Sequence, residues 1–443
     1  MSDQLDLLLS PIRTVRRRLD AGELSPVELT RAALDRIEAV NPHLGAFTHV
    51  AAEQALASAQ ASERRLARGE GLGPLDGIPV GVKDLVATEG MPLEAGSDVL
   101  AGHVADRDAA AVTSLRRAGA VILGKVSLDE FALTTVGPAR NPLDDDLMAG
   151  GSSGGSAVAV AAGMCFAAIG TDTGGSVRVP AECCAVTGLK PTQGLLPTEG
   201  VIPLAPSLDH VGTLARTVDD TALFLEALLP ARPVGLDVTG GGEAARRSRI
   251  GIPADLTGYD PDVQARFLAA IDRASSQGAA ITRVELPDLQ VLKGAHWAIL
   301  AAEIADYHLA RFGPDEKRYG QPMLDAIAAG AAVSVAEYLD AQETRGALRR
   351  QVDGLFADVD ILALPTMVID PPRYGQASVR VAGVDDDPTA AMVRGTSLFN
   401  HTGHPALSVP PATSPRDRPA GIQLVAPHLA ERRLLTVAHL FES

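Results

Sequence analysis

The spacing of apolar and polar positions predicts helices at the start of the chain and a mixture of strands and helices after it. Ser25 and Pro26 combine a helix N-cap with a proline in the first turn, and apolar residues follow at helical spacing as far as residue 40. The alanine-rich stretch 51–68 predicts a second amphipathic helix. Residues 1–70 are therefore expected to form a helical N-terminal region.

From residue 78 onward, short apolar runs alternate with helical patterns. The predicted strands are 78–82, 120–123, 250–252, 284–286, 361–365, 407–409 and 421–425. The predicted helices are 109–118, 127–133, 156–168, 217–229, 261–277, most of 296–356 and a last helix near residue 440. Apolar strands separated by helices predict an α/β fold in which helices cover both faces of a sheet.

The pattern predicts one domain over residues 1–443, built in two parts. Residues 71–229 are rich in glycine, and residues 250–443 are expected to complete the same sheet and the substrate pocket. Between them, 230–249 contains three consecutive glycines and few apolar positions, which is typical of a connector. The longest apolar stretch, 157–169, is shorter than the about 20 residues of a membrane span, and no signal peptide is visible. A cytoplasmic protein without a membrane anchor is therefore expected.

Charge and cysteine content restrict the function classes further. The chain has 39 Lys and Arg against 55 Asp and Glu, a net charge of −16, which argues against unaided nucleic-acid binding. Only three cysteines occur and none forms a C-x-x-C pair, so neither a disulfide framework nor a zinc cage is supported. We expect reduced, buried thiols and no metal.

Two glycine–serine segments, 150–156 and 170–178, are the strongest candidates for chemistry. Glycines allow a backbone to approach a ligand closely, and successive free N–H groups can bind an anion. A phosphate-binding loop is excluded because no lysine follows either segment in the required position. A nucleophile elbow remains open, since 151–155 fits G-x-S-x-G with Ser153 as the nucleophile, and His401 and His404 lie downstream. Two flexible loops would be the purely structural interpretation.

Lys83 is the most informative of only five lysines. It follows the predicted strand 78–82 directly and precedes Asp84. A lysine at a strand end commonly pairs with an acid or extends to solvent. If Lys83 is instead buried, loss of hydration disfavours its charged form and makes it a base near neutral pH.

Together these segments resemble the amidase signature family. The resemblance rests on 81–84, 150–156, 170–180, 188–192, 207–212 and 399–406, and it extends from about residue 10 to residue 440. It implies a large mixed β-sheet sandwiched between α-helices, and a hydrolase that needs no cofactor.

The resemblance also assigns roles to individual residues. Lys83 matches the family's base, Ser152 its bridging serine in a cis peptide, and Ser176 its nucleophile. The backbone N–H groups that match the oxyanion hole belong to Thr173, Gly174, Gly175 and Ser176, and the supporting polar residues are Ser153, Asp172 and Arg178. For these last three, a purely structural role stays open.

For the substrate, the resemblance leaves two branches. The main prediction is a hydrolase that cleaves the C–N bond of small amides through a serine acyl-enzyme, and that also opens carbamates as a urethanase. The alternative is the A subunit of a glutamyl-tRNA amidotransferase, a glutaminase that passes ammonia to a partner. That branch usually has Tyr and Arg after its K-P-T motif, where this chain has 193–196 as Gln-Gly-Leu-Leu. We therefore expect a small-molecule amide or carbamate as the partner, with no nucleic acid and no membrane, and a homodimer is compatible with the sequence. Segments 295–323 and 371–394 are expected to shape the pocket.

Overall fold

The computed structural model describes residues 2–229, 242–314, 316–412 and 420–442. The helices are α1 (Ser2–Leu9), α2 (Ile12–Asp20), α3 (Pro26–Leu44), α4 (Ala52–Ala67), α5 (Ala110–Arg117), α6 (Gly154–Ala161), α7 (Arg178–Cys183), α8 (Val218–Leu228), α9 (Gly242–Arg246), α10 (Pro261–Ser276), α11 (Leu289–Phe312), α12 (Gln321–Ala332), α13 (Val335–Leu355), α14 (Pro388–Val393), α15 (Leu398–Thr402) and α16 (Glu431–Glu442). The strands are β1 (Phe47–Val50), β2 (Pro79–Lys83), β3 (Val121–Val126), β4 (Ala167–Asp172), β5 (Thr187–Lys190), β6 (His210–Ala215), β7 (Arg249–Pro253), β8 (Ala280–Val284), β9 (Ile361–Pro365), β10 (Val379–Val381), β11 (Val384–Asp386), β12 (Ala406–Val409) and β13 (Ile422–Val425).

Eleven of the described strands form one mixed sheet in the order β1-β3-β2-β4-β6-β5-β12-β13-β9-β7-β8. β2 pairs in parallel with β3 and with β4. Along the next part of the sheet, β4-β6-β5-β12-β13-β9, every pair of adjacent strands is antiparallel. The contact between β5 and β12 joins the two parts of the chain. Helices flank this sheet, so the predicted α/β class is confirmed. β10 and β11 form a separate two-stranded sheet.

Local signals fix several helix starts where the sequence predicts them. The Ser25 side chain accepts a hydrogen bond at the start of α3, and Glu28 completes a capping box. The α3 helix continues past residue 40 to Leu44, where Gly45 ends it with a φ of 60°. Thr217 and Asp260 cap α8 and α10 in the same way as Ser25 caps α3.

Four predicted elements are wrong or displaced. The N-terminal region 1–70 is not wholly helical, because β1 pairs with β3 at the edge of the sheet. Residues 127–133 form only a 3₁₀ turn, because Phe131 and Ala132 have positive φ values of 45° and 66°. The predicted helix 156–168 is shorter, since Gly163 at φ 71° lies just beyond α6 and the chain then enters β4. The predicted strand 284–286 lies earlier, as β8. Of the predicted connector, 230–241 lie outside the described residues, while α9 and the start of β7 occupy most of the rest.

The sheet core is densely apolar, and β2, β3 and β4 are buried along their whole length. Strands that are covered on both faces have continuous apolar sequences, so polar residues at their ends stand out in the amino-acid sequence. Among the described helices, none alone is long and apolar enough to cross a membrane. A pair bent by 99°, Gln321–Ala331 with Val335–Leu355, passes that test only when the two helices are taken together.

Candidate active site

Lys83 lies at the end of β2, fully buried beside β3 and β4. Its Nζ lies 2.8 Å from Ser152 Oγ, 2.8 Å from Ser153 Oγ and 2.9 Å from Thr171 Oγ1. Burial lowers the pKa of Lys83 to about 7, because an ammonium group loses its hydration there, and three nearby aspartates oppose this shift only in part. Burial therefore favours the neutral amine far more than water does.

The neutral amine has two N–H groups and one lone pair, but it has three hydroxyl neighbours. At least one hydroxyl must therefore donate its proton to the lone pair if all three contacts are hydrogen bonds. Ser153 Oγ already donates to the Thr171 carbonyl at 3.0 Å, so it is an acceptor toward Lys83. The donor to the lone pair is then the hydroxyl of Ser152 or of Thr171. The arrangement allows proton transfer from Ser152 to Lys83.

The other two buried lysines have different surroundings. Lys125 Nζ lies 3.2 Å from Asp84 Oδ1 and donates to the Val86 carbonyl. Lys190 donates to the main-chain carbonyl of His404 at 2.6 Å. Among the buried lysines of the described chain, Lys83 alone has a contact set made of hydroxyl groups. The pairing of Lys83 with Asp84, which the sequence left open, does not occur, because Asp84 pairs with Lys125.

The loop before α6 brings the serine pair to Lys83. The Gly151–Ser152 peptide bond is cis. A Cβ atom on Gly151 would clash with Asp129, and one on Gly155 would overlap the backbone of Ser127, so only glycine fits at either position. The glycines of this segment therefore serve close packing.

The second glycine–serine segment connects β4 to α7. Thr173, Gly174 and Ser176 line a cavity, and the Ser176 carbonyl accepts a hydrogen bond from Ser153 N–H at 3.1 Å. This bond ties the two segments together. Within the described part of the chain, no hydrogen bond occupies the N–H groups of Gly174, Gly175 or Ser176. These donors remain available to an oxygen atom in the cavity.

A buried ion pair between Asp172 and Arg178 supports the second glycine–serine segment. Asp172 and Arg178 are both fully buried, with Nη2 to Oδ1 at 2.8 Å and Nε to Oδ2 at 3.0 Å. Burial by itself would raise the pKa of Asp172, but the Arg178 guanidinium and the Asn400 amide hold that pKa well below its usual range. The remaining Arg178 donors reach the Thr396 carbonyl, Gln423 Oε1 and Asn400 Oδ1. Every guanidinium nitrogen therefore has a partner.

Four further residues, to which the sequence motifs gave no individual role, complete this environment. Thr171 contacts Lys83, and Asn400 Nδ2 donates to the main chain and carboxylate of Asp172. Thr396 Oγ1 donates to the Gly174 carbonyl at 2.6 Å. Asp209 accepts from Thr173 Oγ1 at 2.6 Å, and burial raises its pKa to about 6. Thr171, Asp209 and Asn400 all lie inside the motifs that suggested the family, so the motifs included these residues without giving them individual roles.

The cavity at Ser176 has a volume of about 120 Å³. Its wall includes leucines, Trp297 and His296, and four charged residues line it: Lys293, Asp386, Asp387 and Arg394. Asp386 pairs with Arg394, and Lys293 Nζ lies 3.8 Å from the other Asp386 oxygen. Both segments expected to shape the pocket contribute to it. The first begins too late, however, because α11 lines the cavity from Leu289 onward, and 132–135 also contribute.

The nucleophile-elbow interpretation does not fit the geometry. Ser153 Oγ contacts Lys83 and Thr171, and no histidine of the described residues reaches it. His401 instead contacts His296, with Nε2 and Nδ1 2.9 Å apart, and His404 Nδ1 contacts Thr402. No base of the kind that an elbow requires is present beside Ser153 in the described chain.

Comparison with known proteins agrees with this geometry. The family described as Amidase matches residues 28–435. The A subunit of glutamyl-tRNA(Gln) amidotransferase from Geobacter sp. (strain M21) is 37% identical, over 97% of this chain and 96% of that protein. The corresponding A subunit from Thermobifida fusca (strain YX) is 39% identical, over 93% and 91%. A crystal structure of an amidase superposes with a TM-score of 0.88 at 31% identity, over 97% of this chain and 99% of the other.

These relatives overturn two predictions. The prediction of a hydrolase for small amides and carbamates is wrong, because the curated relatives are amidotransferase subunits over nearly their full length. The urethanase prediction has no support among them. The prediction of a small-molecule partner without nucleic acid is wrong for the same reason. The four residues 193–196 were too short a signal to decide the branch, and the net charge of one chain does not restrict what an assembly binds.

The fold, the buried lysine among hydroxyls and the matched sequence agree on one assignment. The large mixed sheet with flanking helices is the fold of the amidase-signature neighbours, and the chain is an enzyme of the class that hydrolyses C–N bonds. The chain belongs to the amidase signature family.

Proposed function

We propose that this chain is the amide-hydrolysing subunit of an enzyme that amidates glutamyl-tRNA(Gln), and that it releases ammonia from glutamine. The names of the curated relatives support the reaction, since each is the A subunit of such an amidotransferase. The observation that carries the chemistry is the contact between Lys83 Nζ and Ser152 Oγ at 2.8 Å, at a lysine whose pKa is lowered to about 7.

The reaction begins with proton transfer along the hydroxyls. Neutral Lys83 takes the proton of Ser152, Ser152 takes that of Ser176, and Ser176 Oγ attacks the side-chain carbonyl carbon of glutamine. An amide is a weak electrophile, so the nucleophile needs this activation. The proton then returns from Lys83 through Ser152 to the leaving nitrogen, the C–N bond breaks, and ammonia departs from an ester on Ser176.

Water completes the cycle by the same relay in reverse. Ser152 and Lys83 remove a proton from the water, its oxygen attacks the ester carbonyl, and the proton returns to Ser176 as glutamate leaves. Lys83 thus acts as a base and then as an acid in each half-reaction. Both roles are efficient only if its pKa lies near the working pH. Burial supplies that value here.

Negative charge develops on the carbonyl oxygen in both half-reactions. We assign its stabilisation to the backbone N–H groups of Thr173, Gly174, Gly175 and Ser176, of which Thr173, Gly174 and Ser176 line the cavity. Ser153, Asp172 and Arg178 act as positioning residues. Ser153 links the two glycine–serine segments, and the Asp172–Arg178 pair holds the backbone on which Ser176 lies.

The charged wall of the cavity favours an amino acid amide as substrate. Glutamine has one ammonium and one carboxylate at its α-carbon, and the wall presents groups of both signs: the carboxylates Asp386 and Asp387 and the cations Lys293 and Arg394. A net charge of −16 makes direct tRNA binding unfavourable. We therefore assign tRNA binding to a partner protein and place the complex in the cytoplasm, where the reduced state of three buried cysteines is maintained.

The test measures ammonia released from glutamine by the tagged chain, alone and together with the proteins that co-purify from its own cells. We expect glutaminase activity that rises when the partner is present, and conversion of tRNA-bound glutamate to glutamine in the complex only. Ser176→Ala should abolish both activities. Ser58→Ala, on α4 with its hydroxyl bound to the Gln54 carbonyl, is the matched serine control and should retain them.

The contrary result is equally clear. If the complex releases no ammonia from glutamine while the same preparation hydrolyses anilides or carbamates rapidly, the proposed substrate and partner are wrong. Loss of activity in Ser176→Ala toward those compounds would still support the serine chemistry, so the test separates the substrate from the mechanism.

A further inference from the structure

Three potential metal ligands converge away from the cavity. Asp353 is near the end of α13, His404 lies in the turn between α15 and β12, and His428 follows β13. β12 and β13 are antiparallel neighbours with Ala406 opposite Val425, so their adjoining turns lie at the same end of the sheet. None of the three residues lines the cavity at Ser176. The cluster is therefore separate from the site described above.

The donor atoms are spaced as one small ion requires. Asp353 Oδ1 lies 3.0 Å from His404 Nε2 and 3.6 Å from His428 Nε2, and one ligand atom from each residue falls within 4.8 Å of the others. Tetrahedral zinc with bonds of about 2.0–2.1 Å holds its ligand atoms about 3.4 Å apart. The observed separations lie on either side of that value.

The Nε2 atoms of His404 and His428 lack a hydrogen-bond partner among the described residues. His404 is fully buried, and within the described part of the chain the Asp353 carboxylate lies near its Nε2 but outside hydrogen-bond geometry. When His404 Nδ1 donates to Thr402 Oγ1, 2.9 Å away, its Nε2 exposes a lone pair toward Asp353. A lone pair facing a carboxylate at 3.0 Å is repulsive unless a cation lies between them. In that tautomer, an ion bound between His404 Nε2 and Asp353 would remove the repulsion.

We propose that Asp353, His404 and His428 bind one divalent transition-metal ion, with water completing its coordination. Two imidazoles and one carboxylate suit zinc or cobalt better than magnesium or calcium, which prefer oxygen ligands. The Asp353 side chain is 46% exposed and that of His428 is 23% exposed, so an ion can enter from solvent. Arg349 Nε lies 4.0 Å from the outer oxygen of Asp353 and opposes binding.

The ion would stabilise the segment that supports the active site. His404 is four residues from Asn400, whose side chain binds Asp172, and His401 between them contacts His296 on the cavity wall. A metal joining α13, the turn after α15 and the turn after β13 would limit movement of that segment. Its role is structural, because no donor atom of the cluster reaches the cavity.

Calorimetric titration of the chelator-treated, dialysed full chain with zinc chloride tests the proposal, and cobalt absorption reports the geometry. We expect one ion per chain and visible bands typical of tetrahedral cobalt. His428→Ala should weaken binding at least about tenfold, and Arg349→Ala should strengthen it. His43→Ala, in an exposed surface pair with Asp145, is the matched control and should bind as the unsubstituted chain does.

Two outcomes would overturn the proposal. One is the absence of zinc binding in the unsubstituted chain. The other is binding that His428→Ala leaves unchanged, which would place the ion elsewhere. Because His428 is partly exposed, its variant is expected to fold even if His404→Ala does not, and a circular dichroism spectrum verifies this.

Discussion

Asn400 donates two hydrogen bonds to Asp172, one to its main-chain oxygen at 3.0 Å and one to its carboxylate at 2.8 Å, although 228 residues separate them. Asp172 ends β4 in the glycine-rich part of the chain, whereas Asn400 lies on α15 in the second part. The segment that contains Ser176 is therefore held by residues from both parts. This relationship explains why the second part is needed for a site whose proposed catalytic residues all lie in the first.

Replacing Asn400 by alanine should destabilise the protein and slow the reaction together. The change leaves Asp172 and Arg178 each without one partner in a fully buried environment, at a cost of about 1–3 kcal/mol for each unpaired group. We expect a lower melting temperature in calorimetry and a lower kcat. A variant with the unsubstituted melting temperature would contradict the importance of this contact.

Lys83 should set the acid limb of the pH profile. The base is the neutral amine, which predominates above its pKa of about 7, so kcat/KM should fall about tenfold per pH unit below that value and level off above it. Lys83→Ala should lose activity by about 10³-fold and lose the limb near pH 7. Lys83→Arg should be equally inactive, because its guanidinium stays protonated.

The pH measurement has a direct contrary outcome. A residual activity in Lys83→Ala that keeps the acid limb near pH 7 would assign that limb to another group. Asp209, whose burial raises its pKa to about 6, is the group that such a result would point to. Asp209→Asn measured in parallel distinguishes the two.

Gly175 should tolerate no side chain, whereas its neighbour Gly174 should tolerate a methyl group. Gly175 has a φ of 144°, and a Cβ atom there would clash with Thr396 Oγ1. A Cβ on Gly174 would lie 3.4 Å from His296 Cε1, an ordinary contact. Gly175→Ala should therefore lower kcat by about 10²–10³-fold, as loss of an oxyanion donor does.

The paired variant provides the control for that measurement. Gly174→Ala should keep the melting temperature and a much larger share of the activity, since it changes composition without forcing the backbone to move. Equal activity losses in the two variants would show that the methyl group, rather than the backbone conformation, is responsible.

A fluorophosphonate should label Ser176 and leave Ser153 free. Ser153 Oγ is held by Lys83 and by both backbone groups of Thr171, whereas Ser176 lines the cavity. Peptide mapping should locate the adduct on Ser176 in the unsubstituted chain and also in Ser153→Ala. An adduct on Ser153 would restore the elbow mechanism and refute the assignment of the nucleophile.

Local patterns predicted the elements that have their own start and stop signals. The capping box at Ser25 and the proline after Asp260 specify helix starts through atoms a few residues apart. The strand Ile361–Pro365 is an apolar run with a proline at its end, and it occurs where predicted. In contrast, 127–133 has a helical pattern, but Asp129 accepts hydrogen bonds from the Val136 and Gly137 N–H groups and the backbone turns instead.

The amino-acid sequence alone indicated the segments that the fold brings together around Lys83, because glycine, serine and lysine at these spacings restrict backbone shape and reactivity locally. It could not determine whether Lys83 would be a surface cation or a neutral base, since that depends on burial beneath strands and on hydroxyls 69 and 88 positions away. Only the packing of both parts into one sheet excludes water from the amine and closes the Asp172–Arg178–Asn400 network. Long-range contacts decide pKa and pairing, whereas local sequence decides where a helix or a turn begins.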